Sequence, residues 1–466
     1  MTHRRILGGL VAIVSVLGVA LPTTAATAAS SDIGSAGLGD RFFPNAGNGG
    51  YDVEHYDLDL AYDAATGGIS GTTSIYAHAT QRLSQFNLDF RGFDISKLTV
   101  NGKKATFTRD GQELVIKPAA ALRRGADMHI DVTYSGVPQT VIDPDGAVDG
   151  WIPTDDGAIV VSEPQGSPSW FPVNDYPTDK ATYDIAMTVP SDISAISNGR
   201  LAEKDVDGDH TTWRWEANQL MASYLVTMAI GPFVITEDTT TNGLPVINAI
   251  DARLVDGSAP ALARLNEIID WNSTLYGRYP FDSVGVIADY APNVGFALET
   301  QTRPVFTDVV DESTLVHEIA HQWVGNSVSL ATWPEIWMNE GFAQYSERLW
   351  AEREGTQTTA AWFDEIYTTP ADNELWSPAP GPDSLPGPES LFARPVYDRG
   401  AMTLQQLRVK VGDDAFFKIL KRWTTRNRDA NITTKQFINF AERVSGKKLD
   451  KLFKTWLDKD GKPKLP

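Results

Sequence analysis

The chain has 466 residues, 42% of them hydrophobic, a formal net charge of −20 and no cysteine. This length and apolar content suffice for two or three domains with full hydrophobic cores, and the lack of cysteine excludes a disulfide-stabilised fold. The acidic balance argues against nucleic acid and anionic membranes as partners, because like charges repel.

The first 28 residues have the pattern of a secretory signal peptide. Arg4 and Arg5 give a positive start, residues 6–21 are apolar, and the small residues 26–28 (Ala-Thr-Ala) form a cleavage site. The apolar run is too short for a membrane anchor, and no stop-transfer cluster follows it. We therefore expect cleavage, secretion to the extracellular space and no stable membrane anchor. Loss of two arginines and no acid would change the formal charge from −20 to −22.

Strand patterns dominate the next part of the chain. Residues 29–50 are small, polar and rich in glycine, which predicts a flexible lead-in. Segments such as YDVEHYDLDLAYD and MHIDVTYSG then alternate apolar and polar residues, with N-G and D-G dipeptides at turns. Short strands at this spacing predict an N-terminal antiparallel β domain over residues 51–235.

The pattern changes after residue 235. Residues 257–281 contain apolar positions at helical spacing and predict one helix of about four turns. A strand-like VGVIAD follows, and short helices dominate from residue 359 onward. One of these helices should begin at a capping box formed by Thr433 and Gln436. The expected fold class is α+β multidomain, with a mainly helical domain over residues 236–466.

The residue types that carry chemistry lie between residues 313 and 350. His317, Glu318 and His321 form H-E-x-x-H, and in a helix the two imidazoles would lie on one face, about one turn apart. This spacing lets both rings bind one Zn²⁺ while the glutamate deprotonates a water molecule. Glu340 follows after eighteen residues, within a second helical pattern, and would be the third ligand. The sequence therefore predicts a hydrolase with one zinc ion per chain.

The alternative to a metal site is an ordinary structural helix. The motif is flanked by apolar residues that favour burial, and unpaired histidines beside a buried glutamate would be costly without a metal. Glu347 lies two helical turns after Glu340 on the same face, where it could orient one of the histidines. A three-histidine metzincin site is excluded, because Val324 and Ser327 stand at the positions of its glycine and third histidine.

From about residue 51 to residue 465 the chain resembles the aminopeptidase N family of gluzincin zinc metallopeptidases, in a short two-domain form. That family also includes the leukotriene-hydrolyzing aminopeptidases, and the resemblance implies a thermolysin-like second domain. The segments that carry it are HEIAH, WMNEGFAQYSE, FALET, WFPVNDYPTDKATYDI, MASYLVTMAIGPF and VYDRGA.

The resemblance implies roles for three residues outside the zinc motif. Glu299 in FALET and Glu163 match the acids that bind the free α-amine of a peptide substrate. Tyr397 in VYDRGA matches the tyrosine whose hydroxyl supports the tetrahedral intermediate. These roles agree with elementary chemistry, since an ammonium group needs carboxylates and a developing oxyanion needs hydrogen-bond donors.

The FALET segment departs from the family motif. Phe296, Leu298 and Thr300 replace its glycine, methionine and asparagine, and Val161 stands where many relatives have glutamine. Phe296, Ala297 and Leu298 are expected to contact the substrate. The preference for a particular N-terminal residue of the substrate is therefore not carried over from the family.

We therefore predict a secreted, monomeric zinc aminopeptidase that hydrolyses the N-terminal bond of peptides. The chain ends about seventy residues after Tyr397, where larger members continue into a helical domain, so a more open cleft is expected. This feature and the altered motif leave open a secreted zinc endopeptidase of broad specificity. A non-catalytic peptide-binding protein on the same scaffold is disfavoured by the complete ligand set and by Glu318.

Overall fold

Strands fill the first half of the folded chain, and helices fill most of the second. The computed structural model describes residues 32–465, and the predicted signal peptide lies outside the described residues. The strands are β1 Tyr51–Asp63, β2 Gly68–Ala79, β3 Phe86–Asp89, β4 Asp94–Val100, β5 Lys103–Lys104, β6 Thr106–Asp110, β7 Glu113–Lys117, β8 Asp127–Gly136, β9 Thr140–Ile142, β10 Val148–Pro153, β11 Ala158–Val161, β12 Ala181–Pro190, β13 Ser194–Ser197, β14 Arg200–Asp207, β15 His210–Met221, β16 Met228–Gly231, β17 Val234–Thr239, β18 Pro245–Ile250, β19 Val284–Ala288, β20 Ala297–Leu298, β21 Val305–Phe306, β22 Ser329–Leu330 and β23 Asn431–Ile432. The α-helices are α1 Val255–Leu262, α2 Leu265–Tyr276, α3 Glu312–His321, α4 Trp337–Arg353, α5 Thr359–Tyr367, α6 Gly400–Val411, α7 Asp413–Arg426, α8 Thr434–Ser445 and α9 Asp450–Leu457.

This order confirms the predicted fold class, a β-rich N-terminal part followed by a mainly helical part. The described residues form one compact unit, so the boundary near residue 235 stays a prediction. None of the helices in the described part of the chain has the length and apolar character needed to cross a membrane.

The largest sheet has eight strands in the order β14-β15-β12-β1-β2-β8-β4-β5. Along β1, buried and exposed residues alternate on either side of a bulge between Val53 and His55, because successive side chains of a strand point to opposite faces of the sheet. One pairing differs from the antiparallel prediction, since β1 and β12 run parallel, with His55 opposite Thr182. No hairpin joins these two strands, so no local turn determines their relative direction.

A mixed sheet, β17-β18-β19-β21-β20, begins the second half of the chain. Its strands β18, β19 and β21 are parallel, and β20 pairs antiparallel with β21 at the edge. The carboxyl ends of parallel strands meet at one edge of a sheet, which brings together residues that are distant in sequence. Edge strand β20 lies directly before Glu299 and thereby positions it.

Helices α4 and α6 approach each other through glycine. A Cβ atom on Gly341 would lie 3.0 Å from the Cα atom of Gly400, so a larger residue at either position would force the helices apart. A π-helical turn, Pro395–Arg399, leads into α6 and carries Tyr397. The close contact therefore sets the distance between this turn and the helix that contains Glu340.

The single helix predicted within residues 257–281 is wrong, because the structure has two helices, α1 and α2. The amide of Arg264 donates to the carbonyl of Ala261 at 2.9 Å, a tight turn that interrupts the regular pattern. The guanidinium of Arg264 pairs with Glu312 at 2.8 Å, which ties the break to the start of α3. Apolar periodicity continues through the break and therefore does not reveal it. The predicted capping box at the start of α8 is confirmed.

Residues 32–50 are not the flexible lead-in that their composition predicts. Phe42 is buried, with 6% of its surface exposed. The Asp40 carboxylate accepts hydrogen bonds from the backbone amide of Trp333 and from the hydroxyl of Tyr176, both at 2.9 Å. A few anchoring side chains thus hold a glycine-rich segment against both parts of the chain, and composition alone does not detect such anchors.

Asp40→Ala should lower the free energy of unfolding by about 3 kcal/mol or more, because buried donors lose a charged acceptor. The affected donors include the amides of Phe42 and Phe43. The midpoint of urea unfolding measures the change. Asp59→Ala, at an exposed position of β1, is the control and should stay within about 0.5 kcal/mol of the wild type. Equal midpoints for the two variants would show that Asp40 is not an anchor.

Candidate active site

The predicted zinc ligands lie on two helices that pack against each other, α3 and α4. Helix α3 begins after Asp311, whose side chain accepts a hydrogen bond from the amide of Thr314 at 3.0 Å. The apolar residues around the motif bury the helix, so His317, Glu318 and His321 expose at most 8% of their surfaces. A buried helix with two imidazoles on one face needs a partner for them, and α4 supplies it.

Three side chains converge on one point between these helices. The Oε2 atom of Glu340 lies 3.2 Å from Nε2 of His317 and 3.5 Å from Nε2 of His321. Zinc binds nitrogen and oxygen at about 2.0–2.2 Å, so donor atoms around a tetrahedral ion lie about 3.3 Å apart. The spacing and the donor types therefore fit Zn²⁺.

The outer nitrogen of each imidazole has its own partner. Nδ1 of His317 lies 2.8 Å from a carboxylate oxygen of Glu347, whose other oxygen accepts from the Ser313 hydroxyl at 2.8 Å. Nδ1 of His321 lies 3.0 Å from the carbonyl oxygen of Val324. Both partners are acceptors, which keeps the proton on Nδ1 and leaves the Nε2 lone pairs for a metal.

The buried carboxylates of this cluster need a compensating positive charge. Burial lowers the pKa of His321, but Glu299 and Glu340 outweigh it and raise that pKa to about 9. Burial acts to raise the pKa of Glu340, yet the two histidines lower it to about 2. Without a metal, protons on the imidazoles would balance the carboxylates. A divalent ion supplies the same charge while the rings stay neutral, as zinc ligation requires.

Glu318 points an unpaired oxygen into the same site. Its Oε2 atom is buried and has no hydrogen-bond partner in the part of the chain that the structure describes. Oxygen atoms of Glu318 and Glu299 and a ring nitrogen of His321 lie within 4.8 Å of one another. Burial, aided by repulsion from the neighbouring glutamates, raises the pKa of Glu318 to about 8. A carboxylate oxygen without a hydrogen-bond partner at this position is suited to take a proton from water and return it.

A second group of carboxylates joins the two parts of the chain. Oxygen atoms of Glu163, which follows β11, and of Glu299, which follows β20, lie within 4.8 Å of each other and of Glu340. The Oε1 atoms of Glu163 and Glu299 are buried, and within residues 32–465 neither atom has a hydrogen-bond partner. Burial, followed by repulsion from Glu299, raises the pKa of Glu163 well above its usual range. The pair is arranged to receive a cationic group.

Two residues that the sequence analysis missed hold Glu299 in place. Its backbone carbonyl accepts hydrogen bonds from the side-chain amides of Gln322 at 3.2 Å and Asn326 at 2.7 Å. Gln322 directly follows α3, and Asn326 lies four residues further along the chain. Their signal in the sequence was the presence of polar residues in a stretch that is otherwise apolar and buried.

Tyr397 lies beside His317, the first predicted zinc ligand. Its ring centroid is 6.2 Å from that of His317, with 29° between the ring planes. Burial, followed by repulsion from Glu340, raises the pKa of Tyr397 well above its usual value. The phenol is therefore a neutral hydrogen-bond donor at physiological pH.

The altered FALET residues lie at the edge of the mixed sheet. Leu298 is 3% exposed, whereas Phe296 and Ala297 are half-buried. The carbonyl of Phe296 accepts a hydrogen bond from the hydroxyl of Thr307 at 2.7 Å. Contact of these side chains with a substrate stays a prediction.

Two protein-domain families match the chain. Residues 52–225 match the family described as "Peptidase M1 N-terminal domain", and residues 297–456 match "Peptidase family M1 domain". The chain is 24% identical to "Probable aminopeptidase 2" of Sulfurisphaera tokodaii, with 88% of this chain and 54% of the relative aligned. It is also 24% identical to leukotriene A-4 hydrolase of Xenopus laevis, with 89% and 72% aligned. The chain thus spans about half of the first relative's length, and it spans 37% of aminopeptidase M1 of Arabidopsis thaliana.

Solved structures of similar length also match. An M1 zinc metallopeptidase from Deinococcus radiodurans is 28% identical, with a TM-score of 0.83 over 92% of this chain and 98% of that chain. A mutant of that enzyme bound to a Tyr-Ser-Ala substrate is 27% identical, with a TM-score of 0.82 and coverage of 92% and 99%.

Proposed function

The chain belongs to peptidase family M1, and on that basis we propose that it is a zinc-dependent aminopeptidase that removes residues from the N-terminus of peptides. One observation carries the proposal. Glu163 and Glu299 place buried carboxylate oxygens, which have no hydrogen-bond partner among the described residues, within 4.8 Å of a carboxylate oxygen of Glu340. A peptide's free α-amine is the cation that these oxygens would bind, whereas an internal peptide bond would place only a neutral amide there.

The chemistry then divides among the residues of the site. We propose one zinc ion per chain, held by His317, His321 and Glu340. When bound, Zn²⁺ supplies a Lewis acid that acidifies water and polarises a carbonyl group. Glu318 takes the proton of the attacking water and delivers a proton to the leaving amine. Tyr397 donates a hydrogen bond to the oxyanion that develops on the substrate.

The two amine-binding carboxylates set the cleavage position. With the α-amine held by Glu163 and Glu299, the first peptide bond is the one that reaches the zinc ligands. The solved neighbours support this proposal, because M1 zinc metallopeptidase structures carrying the same substitution were determined with L-arginine and with a Tyr-Ser-Ala substrate.

The test is a time course with a short unblocked peptide and the zinc-loaded protein, followed by mass spectrometry. We expect products shortened one residue at a time from the N-terminus. Internal fragments at the earliest time points would overturn the aminopeptidase proposal and favour an endopeptidase.

Tyr397→Phe should lower kcat by about 10²-fold or more with little change in KM, because one donor to the oxyanion is lost. Tyr367→Phe is the matched control, since its hydroxyl donates to the carbonyl of Pro463 at 2.6 Å and takes no part in the site. The control should keep the wild-type kcat. A near-normal kcat for Tyr397→Phe would assign the oxyanion donor to another residue.

We further propose that the protein is exported and cleaved after Ala28. The support is the charged start, the apolar run and the small residues before that position. Expression of the whole sequence in a bacterial host should yield a secreted product whose N-terminal residue is Ala29. Full-length protein that stays inside the cells would overturn the proposal.

A further inference from the structure

A second group of acidic residues lies apart from the zinc ligands, where the strand-rich part meets the mixed sheet. Asp251 directly follows β18 and Asp289 directly follows β19, and these parallel strands are paired to their last residues. Asp155 and Asp156 lie in the turn between β10 and β11. Four carboxylates from three separate segments are thus brought to one edge of the sheet.

One guanidinium balances this group only in part. Arg253 contacts Asp155 at 2.7 Å, Asp156 at 3.3 Å, and the Oδ1 and Oδ2 atoms of Asp251 at 2.9 and 2.5 Å. None of the ion pairs in the described residues includes Asp289. If all four carboxylates are ionised, one guanidinium leaves three negative charges without an ion-pair partner among the described residues.

Asp289 is the residue that most needs a partner. It is 1% exposed, and its Oδ2 atom is buried without a hydrogen-bond partner among residues 32–465. Ligand oxygens of Asp156, Asp251 and Asp289 nevertheless lie within 4.8 Å of one another. Burial, followed by repulsion from the other two aspartates, raises the pKa of Asp289 to about 7. A buried carboxylate in this position must take up either a proton or a cation.

We propose that Asp156, Asp251 and Asp289 bind a calcium ion. Carboxylate oxygens are hard ligands, and a site without nitrogen or sulfur favours Ca²⁺ over Zn²⁺. The Asp156 side chain is 32% exposed, so water can complete the six to eight oxygens that Ca²⁺ takes. Two positive charges would reduce the local surplus from three negative charges to one.

The position of this site gives it a structural consequence. Strand β11 connects Asp156, which precedes it, with Glu163, which follows it. The amide of Asp289 donates to the carbonyl of Phe306 in β21 at 3.0 Å, and β21 pairs with β20, which precedes Glu299. An ion at this point links the two segments that supply the amine-binding carboxylates.

The test uses the full, zinc-loaded protein after removal of other divalent ions. Calorimetric titration with CaCl₂ should show one binding site, and saturating Ca²⁺ should raise Tm by about 3 °C or more. Asp289→Asn keeps the shape of the side chain and removes one ligand charge, so the titration heat and the Tm shift should disappear.

Glu113→Gln is the matched control. Glu113 is also buried and without hydrogen-bond partners for its carboxylate oxygens among the described residues, and burial likewise raises its pKa to about 7, but it lies outside the cluster. This variant should bind Ca²⁺ like the wild type. If Asp289→Asn does not fold, Asp156→Asn at the more exposed ligand decides, and it should also lose the response. Absence of calcium binding in the wild type, or an unchanged response in the folded aspartate variant, would overturn the proposal and leave a proton as the partner of Asp289.

Discussion

Glu318→Gln should lower kcat by about 10³-fold or more while the protein keeps its zinc, because proton transfer by a positioned side chain contributes about 10²–10⁴-fold. Glutamine has nearly the same shape as glutamate but accepts no proton at neutral pH. The substitution leaves the three proposed zinc ligands unchanged. It breaks no hydrogen bond of the buried Oε2 atom of Glu318, because this atom has no hydrogen-bond partner among the described residues. Steady-state kinetics on an unblocked peptide and elemental analysis of the same sample measure both quantities.

Two controls separate the proton acceptor from the metal. A chelator should abolish activity of the wild type, and added Zn²⁺ should restore it, whereas Zn²⁺ should not rescue Glu318→Gln. Glu312→Gln, at the start of the same helix, should keep kcat within a few-fold of the wild type. If Glu318→Gln loses its zinc, its low activity would be due to the missing metal and not to the missing proton acceptor. Activity in a wild-type protein that contains no zinc would contradict the proposed zinc site.

The convergence of His317, His321 and Glu340 could be predicted because local geometry determines it. His317 and His321 lie four residues apart on one helix, so their convergence follows from helix geometry alone. Glu340 needed only a second helix packed against the first. The backbone carbonyl of Val324, which holds the second imidazole, leaves no trace in the residue types, because any residue offers a carbonyl.

The topology of the sheets was less accessible from the sequence. Alternation along β1 reveals a strand and its buried face, but not the partner strand. The parallel pairing of β1 with β12 joins segments more than a hundred residues apart without a connecting turn. The convergence of Asp251 and Asp289 likewise depends on the parallel order of β18 and β19. Neither arrangement has a local signal.

Acetylation of a peptide's N-terminus should lower kcat/KM by about 10³-fold or more. A free α-amine has a pKa of about 8 and is largely cationic near neutral pH. Acetylation replaces this charge with a neutral amide and leaves the buried carboxylates of Glu163 and Glu299 without the counter-charge that they would bind. An endopeptidase would be indifferent to the block or would prefer it.

Glu299→Ala tests whether this discrimination arises from the carboxylate itself. The variant should cleave the free peptide more slowly and leave the rate on the acetylated peptide nearly unchanged, so the gap between the two substrates should narrow. Free and acetylated peptides of one sequence differ only at the N-terminus, where the acetyl group removes the charge and adds bulk, and mass analysis identifies the cleaved bond. Equal cleavage rates for both peptides, or cleavage at internal bonds of the peptide, would overturn the aminopeptidase proposal. Neither result would contradict the proposed zinc site. If Glu299→Ala lowers the cleavage rates of both peptides equally, the role of Glu299 is structural, through the hydrogen bonds that its backbone carbonyl accepts from Gln322 and Asn326. Glu163 would then be the residue that binds the amine.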